Sequence, residues 1–144
     1  MPGRQLTGRW WVAALGIVAL VPSAWAQESL TNAAQQVKLA WMSHDASALV
    51  RASETMVLKL PGGEEAGPGG RAQAVRLLNR YFQPSAERGF DLLTVKATGP
   101  DEGYAEAARR YAVRGTSDEA RETVFLGFRR VDGRWRLTEI RVTP

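Results

Sequence analysis

Apolar residues recur with one period in the first half of this chain and another in the second. From Ser29 onward, Leu30, Ala34, Val37 and Trp41 repeat at helical spacing with Ala33 and Ala40 beside them, while Gln35, Gln36 and Lys38 fall largely off the stripe. This predicts an amphipathic helix with one buried face, capped by Ser29. His44 and Asp45 follow. "DASALV" then reads as a short second helix with Asp45 as N-cap, a carboxylate suited to the positive end of the helix dipole. "ETMVLKL" is rich in β-formers and is bounded by Pro61 and two glycines, which marks a strand and then a loop. A second long helix is expected from Arg71, with Val75, Leu78 and Phe82 on one face and Ala74, Leu77 and Tyr81 alongside. Pro84 cannot continue it.

After Gly89 the pattern is that of strands. "FDLLTVKA", "YAEAARRYAVRG", "ETVFLGFRRV" and "RWRLTEIRV" are separated by short polar links, and Asp132-Gly133 is a tight-hairpin signal. Short links between consecutive strands imply antiparallel pairing. Trp135 and Leu137 are two positions apart, whereas Leu137 and Ile140 are three apart. All three can face the core only if one residue is inserted, so a β-bulge is predicted near Thr138 or Glu139. Helices first and antiparallel strands afterwards indicate the α+β class: N-terminal helices packed on a curved antiparallel sheet.

The first residues follow neither period. Arg4 and Arg9 precede the apolar run Trp10 to Val21, Pro22 ends it, and Ala24-Trp25-Ala26 forms an A-x-A cleavage signal before Gln27. These are the parts of a secretory signal peptide. The run is shorter than the ~20 apolar residues a bilayer span needs. The expected organisation is therefore a signal peptide at 1–26 and one domain at 27–144, secreted or periplasmic, with no membrane span in the mature chain.

Composition narrows the chemistry. The chain has no cysteine, which excludes a thiolate nucleophile and thiolate metal ligands. Its formal charge is +4, and two arginines but no acid leave with residues 1–26. The remainder is too mildly basic to imply a nucleic-acid partner. Gly67-Pro68-Gly69-Gly70-Arg71-Ala72 satisfies the G-x-G-x-x-[GA] pattern of a dinucleotide loop. The context fails, however: Pro61 and several loop residues separate it from the strand, and no second parallel strand precedes the nearest acids, Glu87 and Asp91. A P-loop fails because Pro68 stands where lysine is required. The segment reads instead as a hairpin-like link into the helix that begins near Gly70, and no cofactor is expected.

Two N-terminal helices, a strand and loop, a long helix, and a sheet ending W-x-L-x-x-I-x-V resemble the nuclear transport factor 2-like superfamily. This is the ketosteroid-isomerase-like, cystatin-like α+β cone. Within it the chain looks most like a group of small secreted bacterial domains of unknown function. The stretches that carry the resemblance are "DASALV", "VLKLPG", "RAQAVRLLNRYF", "GFDLLTVKATGPDEGYAEA" and "GRWRLTEIRV". The resemblance implies that enzymes of this kind place acids or tyrosines inside the cone. An isomerase would carry a carboxylate base on the first strand, where this chain has Leu58-Lys59-Leu60. An epoxide-hydrolase relative would need an Asp–Arg–Asp set in the cavity, and no such set stands out.

The titratable residues support the same view. His44 is the only histidine, and it sits in a helix-to-helix turn where a cap and surface contact are expected; without cysteine it is poor material for a metal site. Asp91, Glu106, Glu122 and Glu139 lie on strands, where a one-sided sheet turns alternate residues to water. They are expected to pair across strands with Arg110, Arg129, Arg136 and Arg141. No catalytic set and no metal site are assigned. Arg129, Arg136 and Arg141 form a candidate anion-binding face. Trp41, Tyr81 and Tyr104 are candidate pocket residues: Trp41 lies on a core stripe, and the two tyrosine hydroxyls want polar partners. The function expected is an exported, non-enzymatic binding or interaction domain that uses the cone cavity or the exposed sheet face. Its partner would be a small apolar molecule or a protein, and it could pair with itself as a homodimer. The alternative is a small isomerase- or hydrolase-type enzyme acting on an apolar molecule in the cone.

Overall fold

Each long helix forms where its stripe begins. The structure, a computed structural model, describes Gly3, residues 29–63 and residues 66–144. The expected signal peptide and its cleavage at Ala24, Ala26 and Gln27 therefore lie outside the described residues, apart from Gly3. Helix α1 (Leu30–Met42) starts at Ser29, whose hydroxyl accepts from the Asn32 N–H at 3.1 Å, and all six stripe residues are buried. It ends in a Schellman arrangement. The His44 N–H reaches the Trp41 carbonyl at 3.0 Å, and the Asp45 N–H reaches the Ala40 carbonyl at 2.8 Å. Asp45 then caps α2 (Ala46–Val50), accepting from the Ala48 N–H at 3.0 Å.

Six strands form one curved, unclosed sheet: β1 (Thr55–Lys59), β2 (Ala66–Gly70), β3 (Ser85–Ala97), β4 (Glu102–Val113), β5 (Glu119–Val131) and β6 (Arg134–Thr143). Helix α3 (Arg71–Phe82) runs between β2 and β3 and buries Ala74, Leu78 and Phe82. The strand order is β2-β1-β6-β5-β4-β3, and β3 to β6 form an antiparallel meander. At the β5–β6 turn Asp132 and Gly133 have φ of 53° and 75°, the two positive values a tight hairpin requires. The expected bulge is present. Gly127 pairs with Glu139 and Phe128 with Leu137, which leaves Thr138 as the inserted residue and lets Trp135, Leu137 and Ile140 all be buried.

Three features depart from the expectations. The glycine-rich segment is not only a link: its second half is strand β2, paired antiparallel with β1, and Gly70 is the N-cap of α3. Strand β1 runs parallel to β6, with Val57, Leu58 and Lys59 opposite Glu139, Ile140 and Arg141. The third is the start of β3, at Ser85 rather than after Gly89. Its register against β4 shifts between Glu87 and Gly89 and again between Leu92 and Thr94. The first shift turns both Glu87 and Phe90 to the inner face, the one the helices cover.

The core lies between the helices and that inner face. Trp41 is fully buried, with ring centroids of Phe82 and Phe90 each 5.1 Å away. Leu78, Leu126 and Ile140 complete its deepest layer. Burial of such side chains contributes roughly 1.5–3 kcal/mol each. Among the described residues no helix is long and apolar enough to cross a membrane.

Candidate functional site

Strand β5 carries two different sites on one row. Glu122, Val124, Leu126 and Phe128 alternate inward along it. At the Glu122 end lies a buried charge cluster. At the Phe128 end, about 20 Å away by strand rise, lies an open cleft.

The cluster is built around Arg109, whose residue is 1% exposed. Glu122 is its register partner across β4 and β5, and Glu87 approaches from β3. The Arg109 Nε donates to both Glu87 oxygens at 3.1 and 3.0 Å, and its Nη2 also donates to Glu87. Nη1 donates to Glu122 at 2.6 Å and contacts the Tyr81 hydroxyl. Tyr81 in turn donates to Glu122 at 2.8 Å. Rings enclose the guanidinium: its Cζ lies 4.0 Å from the Tyr111 centroid, 4.8 Å from Tyr81 and 5.6 Å from Trp41. Every nitrogen of Arg109 has a partner, as a buried charge requires.

His44 closes the cluster from the turn between α1 and α2. Its Nε2 lies 3.0 Å from a Glu87 oxygen, and its ring stacks on Phe82 at 4.6 Å. A carboxylate only accepts, so Nε2 carries the hydrogen. His44 holds φ at 53°, a left-handed position where glycine is usual and where another residue costs about 1–2 kcal/mol. The bond to Glu87 and the stack on Phe82 explain why a side chain stands there. The expectation of a surface contact is corrected: His44 is a lid on a buried acid.

Burial raises the Tyr81 hydroxyl far above the usual tyrosine range. Arg109 opposes that shift and Glu122 adds to it. Tyr111 is raised as well, first by burial and then by Glu122. For Arg109 burial acts to lower the pKa, but the bond to Glu87 and the charge of the acids raise it on balance. The tyrosine shifts carry a sign for stability. Above pH 10.0 an unfolded chain releases a tyrosine proton that the folded chain retains. This stability is fully present below that pH and is lost progressively as pH rises above it toward the raised folded-state value. Urea unfolding in a series crossing pH 10 is expected to show falling stability, and Tyr81→Phe is expected to flatten the fall.

The cleft encloses about 530 Å³ between α1, α2 and the β5–β6 end of the sheet. Its floor includes Val37, Leu49, Phe128, Trp135 and Leu137, and its rim includes Arg51, Arg71, Arg134 and Arg136 with Glu54. A second depression, about 550 Å³, is lined by Asp91, Arg110, Arg121 and Pro144, together with Arg109 and Glu122 of the cluster.

The sequence-predicted residues scatter over these features. Trp41 is enclosed in the core, and Tyr81 belongs to the charge cluster. Tyr104 lies away from both, stacked on Phe125 with centroids 5.6 Å apart. Arg136 lines the cleft. Arg129 lies 3.7 Å from Glu102, and Arg141 lies 2.6 Å from Glu139 and covers the Phe125 ring. Asp91 and Glu106 are exposed, as expected of a wet face. Glu122 is not: it is 8% exposed and faces inward. The expected pairing is also corrected in detail. Arg110 meets Glu119 at 3.8 Å and Arg129 meets Glu102, so the acids that partner the arginines are mostly different ones. The acid–arginine–acid set that no short motif displayed does exist, as Glu87–Arg109–Glu122. Among the described residues no cluster of metal-binding side chains is present.

No family model matches the chain, and no curated protein sequence matches it. Solved structures do. A DUF4783 family protein from Bacteroides uniformis has a TM-score of 0.63 at 14% identity, over 75% of this chain and 93% of its own. A ketosteroid isomerase-like protein from Erwinia carotovora atroseptica has a TM-score of 0.67 at 17% identity, over 80% and 95% respectively. An LEH-like epoxide hydrolase from M. tuberculosis has a TM-score of 0.57 at 18% identity, over 78% and 80%. Likeness at these identities is likeness of fold. With its helices laid on one face of a curved six-stranded sheet, this chain has the nuclear transport factor 2-like, ketosteroid-isomerase-like fold.

Proposed function

We propose that this protein is an exported binding domain, without catalytic activity of its own, whose working surface is the cleft at the open end of the cone. The observation that carries this reading is the division between the two sites. The charged groups suited to chemistry are hydrogen-bonded to one another and packed against rings. The cleft, by contrast, is an open concavity with an apolar floor, within the size range of small-molecule sites. A general base must reach the proton it removes, directly or through one water. Glu87 and Glu122 instead face Arg109, Tyr81 and His44.

Native mass spectrometry of the protein purified from the cell envelope tests the proposal. A chain beginning at Gln27 that carries a small-molecule adduct, released on denaturation, is the expected result. A full-length mass would remove the export half of the proposal, and an empty chain from every preparation would remove the binding half. A dimer mass would locate self-association, the other use open to such a surface.

The second reading is a small hydrolase- or isomerase-type enzyme. The Glu87–Arg109–Glu122 set, with the Tyr81 hydroxyl against it, is the observation in its favour. It requires the rings over the cluster to open. Turnover of an apolar epoxide that disappears in Glu122→Gln while the fold is retained would establish it over the binding reading.

A further inference from the structure

Among the described residues the rim of the cleft carries more positive than negative charge: Arg51, Arg71, Arg134 and Arg136 line it against one carboxylate, Glu54. Arg71 spends its Nε on the Ser53 carbonyl at 3.2 Å. The side chains of Arg51, Arg134 and Arg136 have no hydrogen bond or ion pair among the described residues.

Beneath the rim the chemistry changes. Val37, Leu49, Phe128 and Trp135 are buried apolar residues that nevertheless line the cleft. A fully polar ligand would leave this floor unmatched, and a neutral apolar ligand would leave the arginines unmatched. We infer that the cleft binds a small amphipathic anion. Its apolar body would lie on the Val37, Leu49, Phe128 and Trp135 floor, and its carboxylate or phosphate head would be held by Arg134 and Arg136 with Arg51. Guanidinium groups suit such heads because their planar forks match the oxygens two at a time. The inference rests on the proposal that the cleft is the working site, and it adds the class of ligand.

Isothermal titration calorimetry on the purified protein tests it with four probes below their micelle concentrations: decanoate, decyl phosphate, decanol and inorganic phosphate. Decanoate or decyl phosphate is expected to bind, whichever is tighter identifying the head. Decanol and inorganic phosphate are expected to bind at least about tenfold more weakly, since each lacks one half of the recognition. Arg134→Ala with Arg136→Ala is expected to weaken the anionic amphiphiles about ten- to a hundredfold and to leave decanol unchanged. Ala48→Phe, which fills the cleft from α2, is expected to abolish binding of all amphiphiles; a retained circular dichroism spectrum keeps each variant interpretable. If decanol binds as tightly as decanoate and Ala48→Phe abolishes both, the cleft remains a binding site but the anion inference is overturned. Equal binding of inorganic phosphate and decyl phosphate overturns the role of the floor. Binding unaffected by Ala48→Phe overturns the location, and no binding by any probe overturns the inference. The native-mass adduct judges the broader reading separately.

Discussion

Arg109→Leu is expected to cost the protein about 5 kcal/mol or more of its folding stability. The substitution leaves Glu87 and Glu122 facing each other's charge in a buried site walled by the rings of Trp41, Tyr81 and Tyr111. Removing one partner of a buried ion pair costs about 3–5 kcal/mol, because the remaining charge is left uncompensated. Here two carboxylates lose the same partner, so the cost sits at or above the upper end. A domain of this size has only about 5–15 kcal/mol to lose. Urea denaturation followed by circular dichroism measures the effect. A stability within about 1 kcal/mol of wild type would show that water already reaches the cluster.

A companion variant separates structure from chemistry. Replacing the whole set with apolar residues, Glu87→Leu, Tyr81→Phe, Arg109→Met and Glu122→Leu, removes every charge and leaves only His44 and the Tyr111 hydroxyl without their partners. The His44 side chain is 20% exposed and can turn its ring nitrogen to solvent. Replacing a buried ionic set with packed apolar residues is often neutral or stabilising by about 1–4 kcal/mol. This quadruple variant is therefore expected to fold and to retain ligand binding in the cleft. Loss of binding in a folded quadruple variant would show that the cluster takes part in function.

The two ends of the cone were not equally legible in the sequence. Regular periods carried the helices: six residues of the α1 stripe predicted its buried face, and the three-residue gap from Leu137 to Ile140 located the Thr138 bulge. Such signals are local, since they depend on spacings a few residues wide. The parallel pairing of β1 with β6 is not, because it joins segments about eighty positions apart and leaves no pattern in either. Two members of the cluster did leave a trace. Glu122 extends the inward row of Val124, Leu126 and Phe128 by one step of two, and Arg109 extends that of Ala105 and Ala107. A strict period-2 reading would have turned both inward. What argued against it was the cost of burying a charge, a cost met here by opposing two charges across adjacent strands. Glu87 left no such trace. "PSAERG" reads as a turn, and the register shift that follows it hides which face Glu87 takes. The cleft was illegible for a similar reason: its lining comes from two helices and a hairpin end, and of that lining Arg136 alone stood among the candidate site residues.

Trp41 joins the cluster to the apolar core, and its removal is the second large effect expected. Its ring is packed by Phe82, Phe90 and Tyr81 and faces the Arg109 guanidinium, with no exposure to solvent. Trp41→Ala deletes this contact surface from the middle of the core, and such large-to-small changes cost about 3–5 kcal/mol. Trp41→Phe is expected to cost much less, and for a specific reason. The Trp41 Nε1 is buried without a hydrogen-bond partner, so wild type already bears the desolvation cost of that donor. An unpaired buried donor costs about 1–3 kcal/mol. Phenylalanine removes the donor and keeps an aromatic ring against Phe82 and Phe90, so relief of the first term offsets part of the lost volume. The two variants should therefore differ by more than ring size alone predicts, and the difference is readable as separate urea midpoints at unchanged slope. If Trp41→Phe proves as damaging as Trp41→Ala, the indole nitrogen has a partner, most simply a buried water within reach of the Glu87–Arg109–Glu122 set. The interior that the rings close would then hold solvent next to two carboxylates, which is the condition the enzyme reading requires.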